Sequence, residues 1–175
     1  MWANQVKQVE QKSPKKPLDV EETESALRNL ALRRLSRSMI TEHQLREYLA
    51  RKNGEPEMID RVIARFLSAK LLDDVEFASV WVRTRRSIRG SGPSTLRREL
   101  KQRGVADSII DNAINDREGD DYELALALAQ RRANSLRGLE RDAQFRRLMG
   151  FLQRRGHTPS VALAATKEVL AAEPS

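Results

Sequence analysis

Residues 73–104 read DDVEFASVWVRTRRSIRGSGPSTLRRELKQRG, and three features of this stretch decide the fold. Asp73, Asp74 and Glu76 open a run of helix formers, Leu96 and Leu100 stand four residues apart, and Gly104 closes the segment. Carboxylates suit the positive end of a helix, leucines one turn apart suit a buried face, and glycine suits the left-handed residue that ends a helix. The stretch therefore reads as two helices joined through Gly90-Ser91-Gly92-Pro93-Ser94.

The same landmarks recur on either side. Leu45, Leu49 and Gly54, with Ile59 five residues further on, match Leu96, Leu100, Gly104 and Ile109, and match again Leu148, Leu152, Gly156 and Val161. The acidic opening returns as Asp120-Asp121-Tyr122-Glu123-Leu124-Ala125, and more loosely as Glu21-Glu22-Thr23-Glu24-Ser25-Ala26. Two landmarks keeping a period of about 50 residues mark an internal repeat. Each unit holds a helix opened by the acidic segment, a second carrying the leucine pair, and a short third after the glycine. The expected fold is all-α: a disordered polar leader over 1–22, then three-helix repeats over 23–72, 73–118 and 119–175. Units this poor in apolar residues gain stability by stacking on neighbours, so the expected arrangement is elongated.

At 100° per residue, Phe77, Val80, Trp81, Thr84 and Ile88 share one face of the first helix of the second unit, with Arg83, Arg86 and Arg89 opposite. Phe77 and Trp81 are the expected core. Val82 falls on the arginine side, which suggests a contact there that is not purely ionic.

The 175 residues contain no cysteine and only two histidines, which excludes disulfides, thiolate metal sites and a cysteine nucleophile. No cofactor or metal is expected. The acidic clusters lack a calcium-loop glycine and a nearby histidine, so helix capping explains them better than catalysis. His43 and His157 read as surface or capping residues. Ser36, Ser38, Ser87 and Ser94 lack a nucleophile elbow. The Gly90–Ser94 segment fits neither phosphate-loop spacing and reads as a turn with an N-cap at Ser91 or Ser94 and Pro93 near the first helical position. No apolar run is long enough to cross a membrane and the N-terminus lacks a secretory signal, so a cytoplasmic protein is expected.

The basic runs are the strongest chemical signal. Lys and Arg number 32 against 25 Asp and Glu, a net charge of +7. Residues 83–103 carry eight cations against Glu99, and residues 131–155 carry eight against Glu140 and Asp142. A charge run often marks only a solvated helix face, but its repetition in successive units favours an anionic partner. The candidate partner-binding residues are Arg83, Arg86, Arg97 and Lys101 in the second unit, and Arg131, Arg132, Arg146 and Arg147 in the third. Sparse aromatics argue against modules that stack on single-stranded bases. Composition leaves two readings open: a helical-repeat protein that binds DNA by itself, and one that meets an acidic protein surface.

The stretch from Leu71-Leu72-Asp73-Asp74 through Phe77-Ala78-Ser79-Val80-Trp81-Val82-Arg83 to Gly90, Leu96, Glu99-Leu100 and Arg103-Gly104-Val105 resembles the RecX family of bacterial recombination regulators. The likeness runs from about residue 24 to residue 170 and takes in Arg37-Ser38 and Arg154-Arg155-Gly156. It implies three tandem three-helix units in a curved arrangement and a non-enzymatic, monomeric protein. Such a protein binds RecA and its DNA filament, restrains ATP hydrolysis, strand exchange and co-protease activity, and has at most weak direct contact with nucleic acid. The family more often has an aromatic residue where this chain has His157.

Overall fold

The computed structural model describes residues 20–116 and 120–172, and residues 1–19 of the expected leader lie outside it. Among the described residues the secondary structure is wholly helical. The first unit holds α1 (Val20–Leu35), α2 (Glu42–Ala50) and α3 (Pro56–Ser68); the second holds α4 (Asp74–Arg89), α5 (Pro93–Lys101) and α6 (Asp107–Asn115). The third holds α7 (Asp120–Ala133), a single 3-10 turn (Asn134–Leu136), α8 (Arg141–Arg154) and α9 (Pro159–Ala172). Helix α1 takes in Val20 to Glu22, the end of the segment expected to be leader. The third helices are not uniformly short: α3 and α9 have 13 and 14 residues, α6 has 9.

Each unit closes around its own core. The leucine pairs Leu45 and Leu49, Leu96 and Leu100, and Leu148 and Leu152 are all fully buried, one pair at the centre of each core. Around them pack Ile63 and Phe66 in the first unit, Phe77 and Val82 in the second, and Ala129 and Val169 in the third. The lines Ala125, Ala129, Ala133 on α7 and Ala162, Ala165 on α9 carry no bulky side chain, and these two helices pack extensively together.

The repeat register differs from the sequence alignment by one residue. The left-handed residue after each leucine pair is Asn53 (φ 61°), Gly104 (φ 77°) and Gly156 (φ 90°), so Asn53 and not Gly54 is the equivalent position. The next residue donates its N–H to the second leucine's carbonyl in every unit: Gly54 to Leu49, Val105 to Leu100, His157 to Leu152. Counted from there, the buried equivalents are Ile59, Ile110 and Ala162, while Ile109 and Val161 are only half-buried. The looser acidic copy in α1 is also out of step. Ala26, matched by sequence to Ala78 and Ala125, is exposed, and Leu27 and Ala31 are the buried residues.

Helix α4 is turned relative to its apolar stripe. Its buried arc runs from Phe77 through Ala78 to Val82 and Arg86, whereas Ile88 is 76% exposed. At 100° per residue this is roughly a quarter turn from the expected face. Small Ala78 lets α4 approach α6, and Val82 belongs to the core of its own unit and not to an outward contact. Arg86, expected on the solvated face, is 6% exposed.

Two junctions of similar design join the units. The start of each second helix meets the end of the next unit's second helix. At the first, Thr41 Oγ1 donates to the Arg103 carbonyl at 2.6 Å, and Asp74 accepts the Glu42 N–H at 2.8 Å. Burial raises the Asp74 carboxyl above its ordinary pKa, an effect the Glu42 N–H partly opposes. At the second, the Gly92 N–H donates to Arg155 O at 2.8 Å and the Ser94 N–H to Gly156 O at 3.0 Å. Gly92 is therefore the N-cap of α5, with Pro93 at its first position, in place of the expected Ser91 or Ser94. A side chain there would lie 2.4 Å from the His157 backbone nitrogen, which only glycine avoids.

Candidate partner-binding surface

Asp73 caps α4 as its sequence suggests, accepting the Val75 and Glu76 N–H groups at 2.9 Å. Asp121, its neighbour's counterpart in the third unit, has a different task. Its Oδ1 lies 3.0 Å from His157 Nδ1, while His157 Nε2 lies 3.2 Å from the Gly90 carbonyl. His157 is thus a buried bridge between the second and third units and not a surface residue. His43 stays exposed, with Nε2 3.4 Å from Glu47. Sequence reasoning missed the His157 contact because its partners lie 36 and 67 residues away.

The bridge sets the end of α4 against α7. Gly90 adopts φ 60°, and a side chain there would meet Leu128 at 2.4 Å, so its absence lets the two helices close at this point. Beside the contact lies a cleft of about 450 Å³ with five arginines in its lining: Arg86 and Arg89 from α4, Arg131 and Arg132 from α7, and Arg155 after α8. Its apolar surface comes from Ile88, Leu124, Ala127, Leu128 and Phe151. The Arg155 and Arg132 guanidiniums lie 4.7 Å and 5.8 Å from the Phe151 ring centroid, where the electron-rich ring face favours a cation.

Several cations elsewhere are neutralised within their own units. Arg97 pairs with Asp111 at 2.5 Å and Lys101 with Asp107 at 2.9 Å, both across α5 and α6. Arg61 and Arg65 hold Glu24 at 2.9 Å and 2.7 Å and lower its pKa below the ordinary glutamate value, the Arg61 hydrogen bond contributing most. Among the described residues, by contrast, Arg89, Arg131, Arg132 and Arg155 have no ion-pair partner. The structure thus brings together Arg86, Arg131 and Arg132 of the sequence candidates. Arg83, Arg146 and Arg147 are exposed away from the cleft. Arg89, Arg155 and Phe151 were not among the candidates, although Arg89 and Arg155 both lie within the basic runs.

A second cationic cluster surrounds Trp81. Its Nε1–H donates to Glu99 Oε2 at 2.9 Å, and the Arg85 and Arg103 guanidiniums lie 4.2 Å and 3.7 Å from its ring centroid. Phe77 stacks on it at 5.7 Å. Arg85 also pairs with Glu99 at 3.0 Å. Burial lowers the Arg103 pKa, with Glu99 opposing and Arg85 reinforcing the shift. These arginines are occupied in fixing Trp81, and no helix among the described residues is long and apolar enough to cross a membrane.

Comparison with known proteins places this geometry in a family. The patterns described as the first, second and third three-helix domains of RecX match residues 28–66, 73–114 and 119–165. The "Regulatory protein RecX" of Halorhodospira halophila is 39% identical over 140 residues, covering 80% of this chain and 86% of that one. The protein of the same description from Streptomyces coelicolor is 35% identical over 147 residues, covering 83% and 78%. The crystal structure of RecX from Lactobacillus salivarius superposes with a TM-score of 0.80 at 21% identity, over 86% of this chain and 98% of that one, a likeness of fold. With all three units matched in order and the relatives aligned over most of their length, the chain belongs to the RecX family of regulatory proteins.

Proposed function

We propose that this protein is a non-enzymatic, cytoplasmic regulator that acts as a monomer, binding RecA and its DNA filament and lowering ATP hydrolysis, strand exchange and co-protease activity. Membership of the RecX family supports the reading. The single observation that carries it further is a division among the cations: Arg97 and Lys101 of α5 are paired with carboxylates of α6, while among the described residues Arg89, Arg131, Arg132 and Arg155 at the junction of the second and third units have no ion-pair partner. Cations left without carboxylates inside the chain are available to an anionic surface, and they speed encounter with it. Arg83, Arg146 and Arg147 extend this outward set, while Arg97 and Lys101, already paired, contribute less.

Tandem units carrying several such contacts gain from effective concentration, so weak contacts with successive filament subunits add to a firm hold. The test is RecA ATP hydrolysis on single-stranded DNA titrated with this protein. Inhibition at substoichiometric amounts is the expected result, with much tighter binding to RecA-coated than to bare strands. Unchanged hydrolysis across a broad titration rejects the reading, and equal affinity for bare DNA favours a protein that binds DNA independently.

A further inference from the structure

The cleft between α4, α7 and α8 combines two chemistries that one anion alone does not need. Its guanidiniums call for negative charge, and among the described residues Arg89, Arg131, Arg132 and Arg155 find none within the chain. Its floor is apolar, formed by Leu124, Ala127 and Leu128, and Ile88 on the same cleft is the most exposed of the protein's large hydrophobic side chains that are described. Exposed isoleucine at 76% gains nothing from a phosphodiester backbone but would be covered by an apolar side chain of a peptide. The aromatic ring offers little to a nucleobase either, because Arg132 and Arg155 already stand over Phe151.

We propose that this cleft binds an acidic peptide segment of a partner protein, one in which carboxylates flank an aliphatic side chain. The aliphatic group sits on Leu124 and Leu128 beside Ile88, and the carboxylates pair with the guanidiniums of Arg131, Arg132 and Arg89. Arginine suits this role because its planar fork holds a carboxylate with two parallel hydrogen bonds. The cleft spans the two units that the His157 bridge joins. The inference rests on the regulator reading in taking the partner to be a protein, but its ligand can be tested without RecA.

The experiment measures fluorescence anisotropy of the full chain with three labelled probes. These are a peptide of glutamates flanking a pair of leucines, its serine-for-leucine counterpart, and an oligothymidylate of equal charge. The variants are R131E/R132E, I88S, and R28E/K52E on the first unit as a charge-matched control; all five side chains are exposed, so thermal midpoints should stay near the parent's. The leucine peptide should bind best, lose about tenfold or more in affinity with R131E/R132E, lose several-fold with I88S, and be insensitive to R28E/K52E. Tighter binding of the oligothymidylate, equal binding of the serine peptide, or an equal loss with the control overturns the proposal. Peptide binding that follows this pattern supports it even where RecA hydrolysis is unaffected. Inhibition of RecA without any peptide binding overturns it and leaves the regulator reading standing.

Discussion

Trp81 and His157 both hold polar contacts whose loss would leave a charged or hydrogen-bonding group stranded. Glu99 accepts the Trp81 indole N–H and pairs with Arg85. Glu99→Ala should therefore cost about 1–3 kcal/mol in urea unfolding. Trp81→Phe removes the indole donor, so the double variant should be less destabilised than the sum of the two single changes. The His157 site is more deeply buried. His157→Phe restores an aromatic ring but leaves the Asp121 carboxylate without its partner, and should lower stability by about 2 kcal/mol or more. Adding Asp121→Asn should recover part of that loss, because an amide is far cheaper to bury than a carboxylate. Thermal midpoints of the parent, the single variant and the double variant check both steps. Neither residue's partner was legible in the sequence. A leucine pair announces burial by its spacing, whereas a histidine's contacts depend on which distant elements the fold delivers to it.

At the scale of the element, the glycines ending α5 and α8 do two things at once. Each adopts a left-handed backbone, and each lies against the start of the preceding unit's second helix. A Cβ on Gly104 would come within 2.3 Å of the His43 side chain, and one on Gly156 within 2.5 Å of the Thr95 backbone nitrogen. Gly138 has φ 87° with nothing within 4 Å. The three positions therefore separate backbone strain from steric contact. Gly138→Ala should cost about 1–2 kcal/mol, the price of the left-handed backbone alone. Gly104→Ala and Gly156→Ala should each cost clearly more, since the His43 Cβ and the Thr95 backbone nitrogen are fixed to their own helices, whose starts must move. Urea midpoints give the order. The sequence marked Gly104 and Gly156 as helix ends; that they are also the seats of the junctions depends on packing between units.

At the scale of the whole molecule, helix packing is concentrated within units, and each unit has its own hydrophobic core. A chain of 175 residues folded round one centre has a radius of gyration of about 16 Å. Small-angle scattering should give a value clearly above that, and His157→Ala should increase it further by loosening the second junction. A value matching the compact sphere would show that the units fold back on one another.

The sequence by itself determined the helical class, the threefold repeat, the leucine pairs at the three core centres and the acidic caps such as Asp73. These are local properties: helix propensity, capping and a four-residue spacing act within a turn or two of chain. It also located both basic runs. Tertiary structure alone decided which way α4 turns, why Arg86 is buried and Ile88 exposed, and which arginines keep partners. Those outcomes depend on small residues such as Ala78, Gly90 and Gly92 admitting close approach, and on carboxylates supplied by other helices. Spacing along one helix cannot encode what its neighbours bring, because burial and ion pairing are set by the surfaces that meet.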